Sequence, residues 1–151
     1  MATRSTIALE FADGTVQQVY CHWDGYLENN GVILQEHYAD PFKLRDLIDL
    51  GDISSLKPTV GTKHAFSQFE VPMDGEAYDK LYGNMTTFYG RDRGETGVGP
   101  KSFKDYADYV ENFQHEEYAY ILRTDGVWYV KCHSADFVTL AEAFEAEKET
   151  A

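Results

Sequence analysis

Ser5-Thr6-Ile7-Ala8-Leu9-Glu10-Phe11-Ala12-Asp13-Gly14-Thr15-Val16-Gln17-Gln18-Val19-Tyr20-Cys21-His22-Trp23 decides the fold class of this chain. Ile7, Leu9 and Phe11 recur at every second position, the period of a strand with one buried face. Asp13-Gly14 then supplies residues that tolerate the positive φ of a tight hairpin turn. Val16 to Trp23 returns as the second strand, with Val19, Cys21 and Trp23 on one face and Tyr20, His22 and Asp24 on the other.

A second hairpin is marked at least as clearly. Tyr118 to Arg123 and Val127 to Cys132 flank Thr124-Asp125-Gly126. Between the hairpins the period shifts toward helix. One helix is expected near Glu28 to Tyr38. Another begins with Asp40 as N-cap and Pro41 in the first turn, turns Leu44, Leu47 and Ile48 inward, and stops at Gly51. From Gly51 to about Met85 the pattern weakens into a long surface excursion with a short helix at Glu76 to Tyr82. Thr86 to Arg91 reads as a middle strand. Gly90 to Glu95 reads as a charged loop. Ser102 with Asp105 reads as a capping box for a helix with Phe103, Tyr106, Val110 and Phe113 inward. Ser134 is the expected cap of a last helix carrying Phe137, Leu140, Ala141 and Phe144 on one face. A frayed acidic tail is expected over 145–151. The expectation is a single α+β domain over 1–151. Its antiparallel sheet has about five strands (two hairpins plus a middle strand), covered mainly on one face by three to four helices.

Composition narrows the function classes. The 151 residues hold 26 Asp and Glu against 13 Lys and Arg, a formal charge of −13. Such a field repels phosphate backbones and anionic lipid, so direct nucleic-acid binding is disfavoured and basic protein partners are favoured. Eleven tyrosines suit half-buried contact surfaces, since the ring buries while the hydroxyl stays wet. Two cysteines are too few for a disulfide framework. No apolar run approaches the roughly 20 residues that cross a bilayer, and the first residues lack the apolar stretch of a signal peptide. The expected setting is cytoplasmic, with no membrane and no cofactor.

Chemistry concentrates in two places. Tyr20-Cys21-His22-Trp23-Asp24-Gly25-Tyr26 gathers an imidazole, an indole, a carboxylate, a thiol and two phenols. His22 and Asp24, two apart on a strand, read either as an oriented general base or as a hydrogen-bonded corner before Gly25. Trp23 reads as core more readily than as a stacking platform. Cys21-His22 and Cys132-His133 suggest zinc, but strand neighbours point to opposite faces and no C-x-x-C spacing is present, so no metal is expected. Arg91-Asp92-Arg93-Gly94-Glu95 is the second place: two guanidiniums clamping a phosphate or carboxylate, or a loop satisfied by its own ion pairs. Lys63-His64 is a weaker candidate, and a lone exposed histidine ordinarily carries no function. Phosphate-loop, nucleophile-elbow, zinc-protease and dinucleotide fingerprints are all missing, which lowers the case for an enzyme.

Arg4-Ser5-Thr6-Ile7, Tyr20 to Tyr26, Gly51-Asp52-Ile53-Ser54-Ser55-Leu56 and Tyr89 to Glu95, in this order, carry a resemblance over most of the chain. They resemble a family of small uncharacterised proteins of tailed phages, with some bacterial relatives. This chain departs from it by a longer stretch between His64 and Tyr89. The resemblance implies a phage-encoded protein working in a host cell, and implies no activity.

Two functions follow as expectations. The first is a non-enzymatic factor that binds or inhibits a host protein; its extreme form, a DNA mimic, needs ordered rows of carboxylates, whereas here they are scattered. The second is a domain that binds or hydrolyses a small anionic ligand such as a nucleotide. The site expected in either case is Arg4, His22, Trp23, Asp24, Tyr26, Arg91, Asp92, Arg93 and Glu95. The second function requires the two clusters to lie within about 12 Å, the reach of a small ligand.

Overall fold

A computed structural model describes residues 3–113, 116–133 and 136–150. The first hairpin forms as β1 (Ser5–Glu10) and β2 (Val16–Cys21), in register from Ser5↔Cys21 to Glu10↔Val16. A π-helical turn, Leu27–Gly31, leads into α1 (Val32–His37). Next comes α2 (Pro41–Asp49), whose N-cap Asp40 accepts the Phe42 N–H. Gly51 follows at φ +88°, a conformation that disfavours any side chain. β3 (Ile53–Ser55) comes next, and the excursion after it holds α3 (Gly75–Tyr82), capped by Asp74. The chain returns through β4 (Thr87–Phe88), α4 (Tyr89–Arg93), β5 (Lys101–Phe103) and α5 (Tyr106–Asn112). The second hairpin, β6 (Tyr118–Leu122) and β7 (Trp128–Cys132), precedes β8 (Val138–Thr139) and α6 (Leu140–Thr150).

The strands make one sheet in the order β4-β3-β2-β1-β6-β7-β8, with β5 paired to β2. This corrects the expected antiparallel sheet of about five strands under three to four helices. Among the described residues the sheet is mixed and eight-stranded, with six α-helices. β1 lies parallel to β6 over five residue pairs, and β2 parallel to β3 at Cys21↔Ile53. Hairpin turns specify local antiparallel pairs only. The direction in which a distant strand rejoins the sheet has no local signature. β3, β4, β5 and β8 hold two or three residues each, too few for an alternation to register.

Both faces are covered. Ile7, Leu9, Val19, Cys21, Tyr120, Leu122 and Val130 pack under Leu34, Leu44, Leu47, Ile48 and Leu140 of α1, α2 and α6. The other face packs Ala8, Val16, Phe103 and Ile121 against Tyr109 of α5. That helix starts at Tyr106 with Asp105 as its cap; Ser102 lies in β5, Tyr109 turns inward and Val110 is exposed. The Ser134 cap lies outside the described residues. α6 begins at Leu140 with the Thr139 hydroxyl accepting the Glu142 N–H, buries Leu140 and Ala143, leaves Ala141 exposed and runs on to Thr150.

Candidate functional site

The strand alternation of β2 ends at Cys21. Cys21 is fully buried, its Sγ accepting from Asn30 Nδ2 (3.4 Å) and facing the Trp23 carbonyl (3.7 Å). Burial pushes this thiol up to about 11, so it is an inert core group. Trp23 does not follow Cys21 inward and is 42% exposed. The break comes from a corner. Asp24 takes φ +56°, and its carbonyl accepts from Asn29 Nδ2 (3.1 Å) and the Asn30 N–H (3.3 Å). Gly25 then donates to the Thr3 carbonyl (2.8 Å), and its own carbonyl accepts the Tyr120 hydroxyl (2.6 Å). A Cβ at Gly25 would stand 2.7 Å from Ser5 Cβ, which is why this motif needs a glycine there. His22 therefore pairs with the Tyr20 hydroxyl through Nδ1 (2.7 Å), and the Asp24 backbone forms the corner. Tyr26 stands exposed just beyond it.

Arg91 and Asp92 turn inward. The expected charged loop is the helical turn α4, closed by Gly94 at φ +76°. Asp92 is buried; its Oδ1 accepts the His64 N–H (3.1 Å) and its Oδ2 the Phe88 N–H (2.8 Å). Arg91 donates from Nε and Nη2 to the same carboxylate (3.1 and 3.3 Å), from Nη1 to the Val60 and Gly61 carbonyls (3.0 and 3.1 Å), and from Nη2 to Thr86 O (2.9 Å). All five guanidinium N–H groups are thereby used, so no clamp of two arginines is available to a ligand. These bonds fasten the excursion to the sheet.

His64 belongs to the same join, contrary to its reading as a lone exposed residue. It is buried and stacks on Tyr82 at 5.2 Å. Its Nδ1 bonds the Thr62 carbonyl (2.7 Å), which can only accept, so Nδ1 carries the proton. Nε2 lies 3.2 Å from Thr87 Oγ1. Asp92 Oδ1 is 3.7 Å from Nδ1, beyond hydrogen-bond range. Asp92, His64 and Thr87 therefore form no proton relay. Nothing in the sequence around Lys63-His64 marks this burial.

Arg93 goes the other way. Its Nε donates to Glu95 Oε2 (2.7 Å) while the guanidinium lies over the rings of Phe66 (4.5 Å) and Tyr89 (5.0 Å). Phe66 and Tyr89 are themselves 5.7 Å apart. Cys21 pairs with Ile53 and Ile53 with Phe88, so one intervening strand separates the end of β2 from α4, about 10 Å. Asp52 spans the gap between β5 and β3 by accepting the Tyr20 N–H (3.0 Å). Burial raises its carboxyl above the ordinary range, and that backbone bond opposes the rise.

Tyr20 and Tyr89, one from each cluster, are close enough to influence each other electrostatically. Burial raises the Tyr20 hydroxyl, the Arg4 charge opposes the rise, and Glu116 and Tyr89 add to it. Burial likewise raises Tyr89, against a hydrogen bond with Ser54 and the Arg93 charge. His22 meets Trp23 edge to face at 4.7 Å. Tyr20, His22 and Trp23 thus form one aromatic group at the end of β2, and Phe66, Tyr89 and Arg93 form another around α4, one strand away. Among the described residues, no group of three or more His, Cys, Asp or Glu side chains could hold a metal ion, and no helix is long and apolar enough to cross a membrane. No family model, curated protein or solved structure matches this chain.

Proposed function

We propose that this is a binding protein whose contact surface is the face of Trp23, His22, Tyr20 and Arg4 together with Tyr89, Phe66 and Arg93, and that its partner is a protein of the host cell. The observation that carries the reading is the stacking of Arg93 on Phe66 and Tyr89, one strand away from an exposed Trp23. Tryptophan, tyrosine and arginine dominate the energetics of protein interfaces because they bury large rigid area and keep a polar handle. Here they are held in place by their own ring contacts, which lowers the entropy lost on binding. The internal use of Arg91 favours this reading over capture of a small anion. The phage setting rests on the sequence resemblance.

The test is capture from a host lysate with a photo-crosslinking amino acid at position 66, and in parallel at position 127 in the distant hairpin. A stoichiometric adduct at 66 alone supports the proposal. Equal labelling at both positions, or none at 66, contradicts it.

A further inference from the structure

An apolar groove of about 480 Å³ lies between the start of α2 and the turn ends of β1 and β6, lined by Leu9, Phe11, Pro41, Phe42 and Leu122. Its volume falls in the range of small-ligand sites, about 300–1,000 Å³. Leu9 and Leu122 form a buried floor, whereas Phe42 is 68% exposed. Two arginines reach the rim, and only one carries a free charge. Arg123 is held by Glu10 through two hydrogen bonds (3.1 and 3.2 Å) and lies over the Tyr106 ring at 3.5 Å. Arg45 sits 5.6 Å from the Phe42 ring. It makes no ion pair among the described residues, although Asp49 follows at helical i+4 spacing.

We infer that this groove binds an amphipathic monocarboxylate, its hydrocarbon body against Leu9, Phe11, Phe42 and Leu122 and its carboxylate on Arg45. The chemistry selects the class. The apolar lining favours a hydrocarbon body, because burying it removes apolar surface from water. One guanidinium offers a planar two-donor fork that matches a single carboxylate. A doubly charged phosphate headgroup meets more repulsion than a monocarboxylate, from Glu10 in the lining and from the field of a chain of −13.

The probe is decanoate below its micelle concentration, titrated into the full chain and followed by backbone amide NMR, with decanol and decyl phosphate alongside. Decanoate is expected to shift the amides of Leu9, Phe11, Phe42 and Leu122 saturably. Arg45→Gln weakens decanoate about tenfold, the loss of one charge-assisted bond, and leaves decanol unchanged. Phe42→Ala weakens both. Both side chains are exposed, so the variants keep the wild-type spectrum elsewhere. Shifts confined to other residues, unchanged decanoate affinity in Arg45→Gln, or tighter binding of decyl phosphate would each overturn the inference.

Discussion

Arg91 and Asp92, adjacent in sequence and ion-paired at 3.1 Å, together fasten one join. Arg91 takes the carbonyls of Val60 and Gly61 in the excursion, and Asp92 takes the amides of His64 in the excursion and Phe88 in β4. Asp92→Ala strands a half-buried guanidinium and two amide donors. It should cost about 3–5 kcal/mol and open residues 57–85 to limited proteolysis. Arg91→Lys should not rescue an Arg91→Ala loss, since one ammonium cannot reproduce the fork. A protease map identical to wild type for Asp92→Ala would remove this role.

Gly25→Ala forces a Cβ to within 2.7 Å of Ser5 Cβ and 2.8 Å of the Thr3 carbonyl. Overpacking of this kind costs about 1–3 kcal/mol. Urea unfolding should show a lower midpoint at unchanged slope.

Tyr109 is fully buried, and its hydroxyl has no hydrogen-bond partner among the described residues. Tyr109→Phe removes an unpaired polar atom and keeps the ring contacts, tilted on Phe113 (5.0 Å) and edge to face with Phe103 (5.4 Å). Thermal unfolding should occur at the wild-type temperature or above, by up to about 1 kcal/mol of stability. A clear loss would point to a role for that hydroxyl.

Glu10 gives the stability a pH dependence of known sign. Burial raises its pKa, but the Arg123 and Thr124 bonds outweigh that and leave it below the ordinary 4.5. A carboxyl depressed in the folded state contributes stability that is complete above the unfolded value and lost as pH falls through the folded one. Wild-type stability should therefore drop more steeply below pH 4.5 than that of Glu10→Gln. Parallel acid profiles for the two would refute the linkage.

The two hairpins and α2 were legible because their signals are local: Asp13-Gly14, Asp125-Gly126, and Asp40-Pro41 with Gly51. The parallel pairing of β1 with β6 was not, since it depends on where the chain re-enters after more than a hundred residues. At the candidate site, the density of groups from Tyr20 to Tyr26 was plain in the sequence, but the side chains' partners did not follow from spacing. Asp24 turns a corner at positive φ, so His22 finds Tyr20. Arg91 and Arg93 look equivalent in sequence, yet a two-residue step on a helical turn sends one to the join and the other to the surface. Phe66, which Arg93 stacks on, carries no signal in the sequence at all.

The central claim is that the Trp23–Tyr89–Arg93 face is the contact surface. Its most direct test is the affinity of the crosslinked partner, once purified, for Trp23→Ala and Arg93→Ala against Val110→Ala, an exposed control on α5. Each of the first two should weaken binding by at least about 2 kcal/mol, roughly thirtyfold, with wild-type circular dichroism, while Val110→Ala binds normally. Wild-type affinity in both face variants would contradict the account.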